Sequence, residues 1–430
     1  MTHSDLLARH RKVLPDWVAL YYDQPISLER GEGRHVWDVE GNRYLDFFGG
    51  ILTTMSGHAV PEIVDAIRTQ ADRLLHSSTL YLIEPAIALA ERIAELAPVD
   101  DAKVFFTSSG SEANETALLL AAAYRRSNQV LALRNSYHGR SFATVAITGN
   151  RGWSPSSLTP VNVSYVHGGY RLRSPWRDHS DGAYIGECVE DLRSVIDTMT
   201  SGDVACLIAE PIQGVGGFTT PPDGLFGAMH KVLDEHGILL IADEVQTGWG
   251  RTGEHFWGID AHGVRPDMIT FAKGLGNGLS IGGVVARAEI MDCLGANSIS
   301  TFGGNPLSTA GALANLDYLL SNDLQANALK RGERLMTRLR ATAADCDHVA
   351  EARGKGLMLG VELVRPGGLE PSPEAAGWML EETRRNGLLV GKGGLYGNVL
   401  RIAPPMSLTE AEAEDGGDIL EGAIRAYRPD

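Results

Sequence analysis

Cysteine is scarce in this chain and is not spaced for chemistry. Four residues, Cys188, Cys206, Cys293 and Cys346, are scattered over 430 positions. No two stand at a disulfide-scaffold or zinc-ligand spacing, so neither framework is expected, and no metal site is. Cys206 lies in the apolar run Val204-Ala-Cys-Leu-Ile208, where a buried free thiol is the natural state. Free thiols suit a reducing compartment. Long apolar runs are also missing: none approaches the ~18–20 residues of a membrane span. The first ten residues have no apolar stretch of signal-peptide type, so the expected location is the cytoplasm. Positive charge is short as well, with 38 Lys+Arg against 54 Asp+Glu and a net charge of −16. A chain this acidic is a poor partner for nucleic acid or an anionic membrane. Any anion it binds must be held locally, by main-chain N–H groups or a few buried cations. Internal repeats and low-complexity tracts are absent.

What remains is an ordinary globular balance, 43% hydrophobic and 21% charged, with 50 glycines that often fall in short clusters. Short β-rich runs alternate with longer helical ones. Strands are expected at 103–107, 129–133, 203–209, 238–242, 268–271 and 282–286, with helices over 111–126 and 225–236 between them. Fully apolar strands separated by helices imply a mostly parallel sheet covered on both faces. The ends differ. Strand-like pieces occur at 34–38 and 44–48. Beyond Asn305 come a long helical stretch to about Ala344, strands at 357–364, 388–390 and 399–402, and helices near 373–385 and 410–427. The predicted division is residues 1–57 and 306–430 as two parts of a small α+β domain, with 58–305 as a large α/β domain. The Gly-, Ser-, Pro- and Trp-rich segment 151–183 reads as a long surface insertion.

Three local patterns carry chemistry. In Thr107-Ser-Ser-Gly-Ser-Glu-Ala-Asn114 a strand ends, small residues turn the chain and a helix begins. The first N–H groups of that helix lack intrahelical partners; Gly110 admits a ligand and Ser111 adds a hydroxyl. The same string also describes an ordinary serine-capped helix. No Gly-Lys-Ser/Thr follows, which excludes a Walker loop. In Ile238–Ala242 followed by Asp243, a carboxylate stands at the end of a buried strand, costly unless a cation meets it. In Thr270-Phe-Ala-Lys-Gly-Leu-Gly276, Lys273 follows another buried strand. A lysine in an apolar site loses its proton readily and becomes a nucleophile toward carbonyls, although a lone lysine at a strand end can simply reach solvent. Together the three ask for one ligand with a phosphate, a cationic ring nitrogen and a carbonyl. Pyridoxal 5'-phosphate has all three.

The matching residues go further. Ser109-Gly-Ser-Glu-Ala-Asn114, Tyr137-His-Gly139, Glu210-Pro-Ile-Gln-Gly214, Asp243-Glu-Val-Gln-Thr-Gly-Trp-Gly-Arg251, Ala272-Lys-Gly274, Thr301-Phe-Gly-Gly-Asn-Pro306 and Arg401-Ile-Ala-Pro-Pro405 occur in this order. On these strings the chain resembles the class III, or ω-amino-acid, aminotransferases of pyridoxal-phosphate fold type I. Tyr44-Leu-Asp-Phe-Phe-Gly-Gly50, Arg353-Gly-Lys-Gly-Leu-Met358 and Gly387-Leu-Leu-Val390 look most like the mitochondrial-type alanine–glyoxylate branch.

The resemblance implies a seven-stranded, mostly parallel large-domain sheet and a role for each matching residue. Lys273 would hold the cofactor as a Schiff base and shuttle the substrate proton. Asp243 would pair with the ring nitrogen. Gly110 and Ser111 would bind the phosphate, and Thr301 would reach the phosphate of a neighbouring subunit, making a homodimer, or a tetramer built from it, necessary. Tyr137 and Val245 would flank the ring, and Gln246 would hydrogen-bond its hydroxyl. Arg401 would bind the substrate carboxylate, with Glu210 pairing to that arginine and switching it aside. Arg140 is a candidate for a distal carboxylate and equally for a surface salt bridge; His138 is a packed histidine or a ligand contact. Trp153, Trp176 and Tyr21-Tyr22 are either packing anchors or setters of substrate choice.

The implied reaction is ping-pong transamination from an ω- or β-amino acid or alanine to a 2-oxo acid such as pyruvate, glyoxylate or 2-oxoglutarate. The rival readings are a phospho-lyase, aminomutase or racemase on the same scaffold, and a catalytically silent cofactor-binding regulator.

Overall fold

The computed structural model describes residues 2–429. Its centre is a seven-stranded sheet in the order Ala102–Thr107, Gly282–Arg287, Met268–Phe271, Leu239–Asp243, Cys206–Ala209, Gln129–Leu133, Asn162–Val166. Gly282–Arg287 runs antiparallel to both neighbours, and the remaining pairs are parallel. The apolar strands are buried on both faces because successive side chains point opposite ways. Leu131, Leu133, Leu207, Leu240 and Ile269 enter one core cluster, while Val130, Ala132, Ile208, Ile241 and Met268 enter the other. Six of the seven strands coincide with those expected. The seventh, Asn162–Val166, lies inside the segment read as a surface insertion. Its Asn-Val-Ser-Tyr-Val pattern is only half apolar because an edge strand buries less of itself.

Residues from both ends of the chain build the smaller layer. Leu28–Glu32, His35–Asp38 and Arg43–Asp46 form a sheet completed by Leu388–Leu389, which pairs in parallel with Leu45 and Asp46. A second sheet has the order Val349–Lys355, Met358–Leu363, Val399–Ile402, Gly391–Gly393. The helical stretch expected after Asn305 is two helices, Pro306–Ser321 and Leu324–Ala344. The break falls at Asp323, whose φ of 47° no continuing helix accepts. The first of these helices packs on Pro61–Arg73 and Glu84–Leu96. Among the described residues no helix is long and apolar enough to cross a membrane.

Candidate active site

Strands of one direction end at one edge of the sheet, where open α/β sheets bind ligands. Asp243 is the last residue of Leu239–Asp243, Lys273 follows Met268–Phe271 by two positions, Glu210 follows Cys206–Ala209 directly, and Gly110 opens the helix after Ala102–Thr107. With Tyr137, His138, Gly139, Asn114, Val245 and Gln246 they line a single cleft. Residues separated by more than 160 positions in sequence thus meet because the topology brings their strand ends together.

Asp243 is 4% exposed. Its Oδ2 accepts from Asn114 Nδ2 at 2.8 Å and meets His138 Nδ1 at 2.7 Å; its Oδ1 accepts only from the Val245 N–H, at 3.1 Å. With a carboxylate as acceptor, the imidazole proton sits on Nδ1. Asn114 is itself fixed, donating to the His138 carbonyl at 2.8 Å and accepting from Thr270 Oγ1 at 2.6 Å. One carboxylate oxygen is therefore saturated from behind, and the other retains acceptor capacity toward the cleft.

Lys273 has a φ of 43°, in the left-handed region that a side chain adopts only when its surroundings dictate it. Its side chain is partly open to the cleft, but burial of the ammonium outweighs the nearby Asp243 charge and pulls its pKa down to about 8. Among the described residues nothing hydrogen-bonds its Nζ. At the helix start, Ser109 Oγ caps the Glu112 N–H, leaving the N–H groups of Gly110 and Ser111 without main-chain partners among the described residues. A Cβ on Gly110 would stand 3.0 Å from Val245 Cγ1, so the glycine keeps this corner open. A free amine, a backed carboxylate with a spare lone pair and unpaired helix N–H groups match the three polar ends of pyridoxal 5'-phosphate. Tyr137 and Val245 line the same cleft, and the Tyr137 ring is braced edge-on by Trp153 at 5.5 Å.

Arg401 lies in Val399–Ile402, 3% exposed, with its guanidinium between the rings of Phe218 at 4.6 Å and Phe48 at 5.2 Å. The pairing implied between Glu210 and Arg401 is absent. Arg401 Nη2 donates to Gln246 Oε1 at 2.8 Å, whereas the Glu210 oxygens accept from the Tyr137 and Gly214 N–H groups at 2.8 and 2.7 Å. The reason is local: main-chain donors already satisfy the carboxylate, and burial pushes its pKa up to about 7, weakening its claim on a cation. Gln246, expected at the ring hydroxyl, thus spends its amide oxygen on the arginine. Arg401 Nε is buried and unpartnered, so the guanidinium retains a donor.

Three other expected residues stand apart from this cluster. Arg140 is exposed and stacks over Trp17 at 5.3 Å, while its N–H donates to Ser111 Oγ at 3.1 Å. Thr301 lies on an exposed loop away from its own chain's cleft. Trp176 stacks edge-on with His167 at 4.7 Å and packs on the core, an anchor rather than a substrate contact. His138, buried, lies in the cleft lining with its Nδ1 on Asp243. Asn114 was only the last letter of a motif, yet a signal existed: an amide beside Ala113, Ala117 and Leu118 on the buried side of a helix needs a partner.

This fold and this edge of the sheet define a pyridoxal-phosphate enzyme of fold type I. The chain belongs to the class III aminotransferases: the model of that family, Aminotransferase class-III, matches residues 19–424. It is 38% identical to alanine–glyoxylate aminotransferase 2 homolog 2, mitochondrial, of Arabidopsis thaliana, over 95% of this chain and 85% of that one. It is 36% identical to an alanine/serine racemase of Pyrococcus horikoshii over 98% and 90%. The solved (S)-enantioselective ω-transaminase of Thermomicrobium roseum superposes with a TM-score of 0.91 at 34% identity, over 99% of each chain. The chain is therefore a pyridoxal-phosphate-dependent aminotransferase.

Proposed function

We propose that this enzyme moves an amino group from an ω- or β-amino acid or alanine to a short 2-oxo acid, pyruvate, glyoxylate or 2-oxoglutarate, one substrate leaving before the next enters. The observation that carries this reading is the meeting of Lys273 and Asp243 in one cleft, with the buried Arg401 behind its lining residue Gln246. Pyridoxal phosphate, when bound, supplies an electron sink for a carbanion. The chain's own residues do the rest. Asp243, held by His138 and Asn114, keeps a fixed anion at the ring nitrogen. The Gly110 and Ser111 N–H groups would hold the phosphate, Tyr137 and Val245 would confine the ring, and Gln246 would reach its edge. Arg401 takes the substrate carboxylate in place of Gln246, with Glu210 nearby to receive the arginine when the substrate's other end enters. Lys273, as a free amine, would take up and return the proton of the substrate α-carbon. Arg140, next in sequence to the cleft-lining Gly139, is assigned to a distal carboxylate.

Thr301 is assigned to the partner's phosphate in a homodimer. Support comes from the exposed apolar side chains of Leu75, Leu80, Tyr81, Leu82, Ile299 and Phe302, surface a monomer rarely leaves bare; Leu82 is 94% exposed. The four cysteines are free thiols, which supports a reducing compartment, read here as the cytoplasm.

The test is spectroscopic. The holoenzyme's visible band should bleach with L-alanine or β-alanine and recover with pyruvate or glyoxylate. Loss of optical activity from L-alanine without an acceptor would favour racemisation, and inorganic phosphate released from a phosphorylated amine would favour the lyase. A band that no amine changes would leave a silent binding protein. Arg401→Ala should raise the KM of carboxylate substrates about 10–100-fold, the loss of a charge-assisted hydrogen bond of about 1.5–3 kcal/mol, and barely alter that of a carboxylate-free amine. Unchanged KM values for both would remove Arg401 from the site.

A further inference from the structure

Arg251 is 2% exposed and forms no ion pair with any described residue. Its Nη1 donates to the carbonyl of Pro404 at 2.7 Å and to that of Leu357 at 3.2 Å, while its own carbonyl accepts from the Leu357 N–H at 3.1 Å. Its Nη2 is buried without a partner. A buried guanidinium neutralised only by peptide oxygens is costly, and burial drags its pKa down to about 10. An apolar side chain of similar size would fill the volume at lower cost, so the fit of the charge must be sought in what it holds.

What it holds is the end of an antiparallel strand pair. Leu357 immediately precedes Met358–Leu363, and Pro404 closely follows Val399–Ile402; in that pair Leu359 faces Ile402 and Gly360 faces Arg401. Arg251 therefore grips both strands just beyond the residue that carries the guanidinium of the site. At its other end Arg251 belongs to the same short segment as Asp243, and that segment is stiff. Buried Glu244 accepts from the Gly258 and Ile259 N–H groups at 2.9 and 2.7 Å, and Trp249 packs on Trp257 with ring centroids 4.6 Å apart. Gln246, on this segment too, touches Arg401 directly. The approach is tight: a Cβ on Gly356, next to Leu357, would lie 2.4 Å from the Arg251 carbonyl oxygen.

We infer that Arg251 is a positioning residue, whose bonds to the Pro404 and Leu357 carbonyls set the distance between the carboxylate-binding Arg401 and the Asp243 segment. The inference rests on the reading of Arg401 given above. Arg251→Met keeps the volume and leaves no buried anion unpaired. Arg251→Lys keeps one donor for Pro404.

The experiment compares both with Arg401→Ala in the holoenzyme, measuring propionate affinity by titration calorimetry, thermal midpoint, and the rates of cofactor bleaching by alanine and by 1-phenylethylamine, which has no carboxylate. Arg251→Met should weaken propionate binding about tenfold and raise the alanine KM alike, with the phenylethylamine reaction held within about threefold. Arg251→Lys should fall between. A lowered thermal midpoint with unchanged propionate affinity, or equal slowing with both amines, would make Arg251 a structural residue only and overturn the inference. Should Arg251→Met not fold, Arg251→Lys decides on the same readings, and wild-type propionate affinity there overturns it. If Arg401→Ala itself binds propionate as wild type does, the assignment of Arg401 fails instead, a result distinct from failure of the Arg251 inference.

Discussion

Lys273→Ala should fold, retain pyridoxal phosphate weakly and turn over at least about 10⁴-fold more slowly than the wild type, because on the proposed roles one substitution removes both the covalent anchor and the proton carrier. The chain has seven lysines, and Lys273 is the one that lines the cleft. Lys355 is tied to Asp223 and Glu254. The amine is suited to the task by its surroundings: with a pKa near 8 a useful fraction is uncharged at neutral pH, whereas an exposed lysine is almost wholly protonated. Folding should survive because the side chain makes no hydrogen bond that its removal would leave unsatisfied. Steady-state rates and borohydride trapping, with mass spectrometry of the modified peptide, check both halves. Wild-type enzyme should carry the reduced cofactor mass on the peptide containing Lys273, and the variant should carry none. A variant within about tenfold of wild-type turnover would show that another group moves the proton.

How much of this was legible in the sequence depends on whether a residue's signal is local. Lys273 and Asp243 each stand at the end of an apolar strand, and a polar group at the end of a buried strand is visible in a short window. The strand at 162–166 was hidden because its edge position leaves it polar, and the helix break at Asp323 because nothing in the apolar periodicity marks a left-handed residue. Pairings were least legible. Glu210 and Arg401 were each placed at the site by resemblance, but their partners, main-chain N–H groups and Gln246, follow from loop geometry after strand ends that no spacing encodes. Asn114 and His138 fall between these cases: their identity was readable, while their common target Asp243 lies more than a hundred residues away.

Asp243→Asn should lower kcat by about 10²–10³-fold or more, and should do so at saturating cofactor, because on the proposed role the loss is of charge at the ring nitrogen rather than of shape. The substitution cannot be neutral to its surroundings either. Asp243 accepts from three donors, two at Oδ2 and one at Oδ1. An amide offers one acceptor oxygen, so its NH₂ must face either the Val245 N–H or the Asn114 and His138 pair. At least one buried donor is stranded, at a cost of about 1–3 kcal/mol. The thermal midpoint should therefore drop together with the rate, and a control is needed to separate the two. Asn114→Ala supplies it: Asp243 loses one supporting bond, the His138 carbonyl and Thr270 Oγ1 lose their partner as well, and the anion stays, so stability should fall by at least as much while kcat falls much less. Should the two variants lose activity in parallel, Asp243 would be a packing residue whose charge is irrelevant to the reaction. If only Asp243→Asn collapses in rate, the anion at that nitrogen is what the chain contributes to the chemistry.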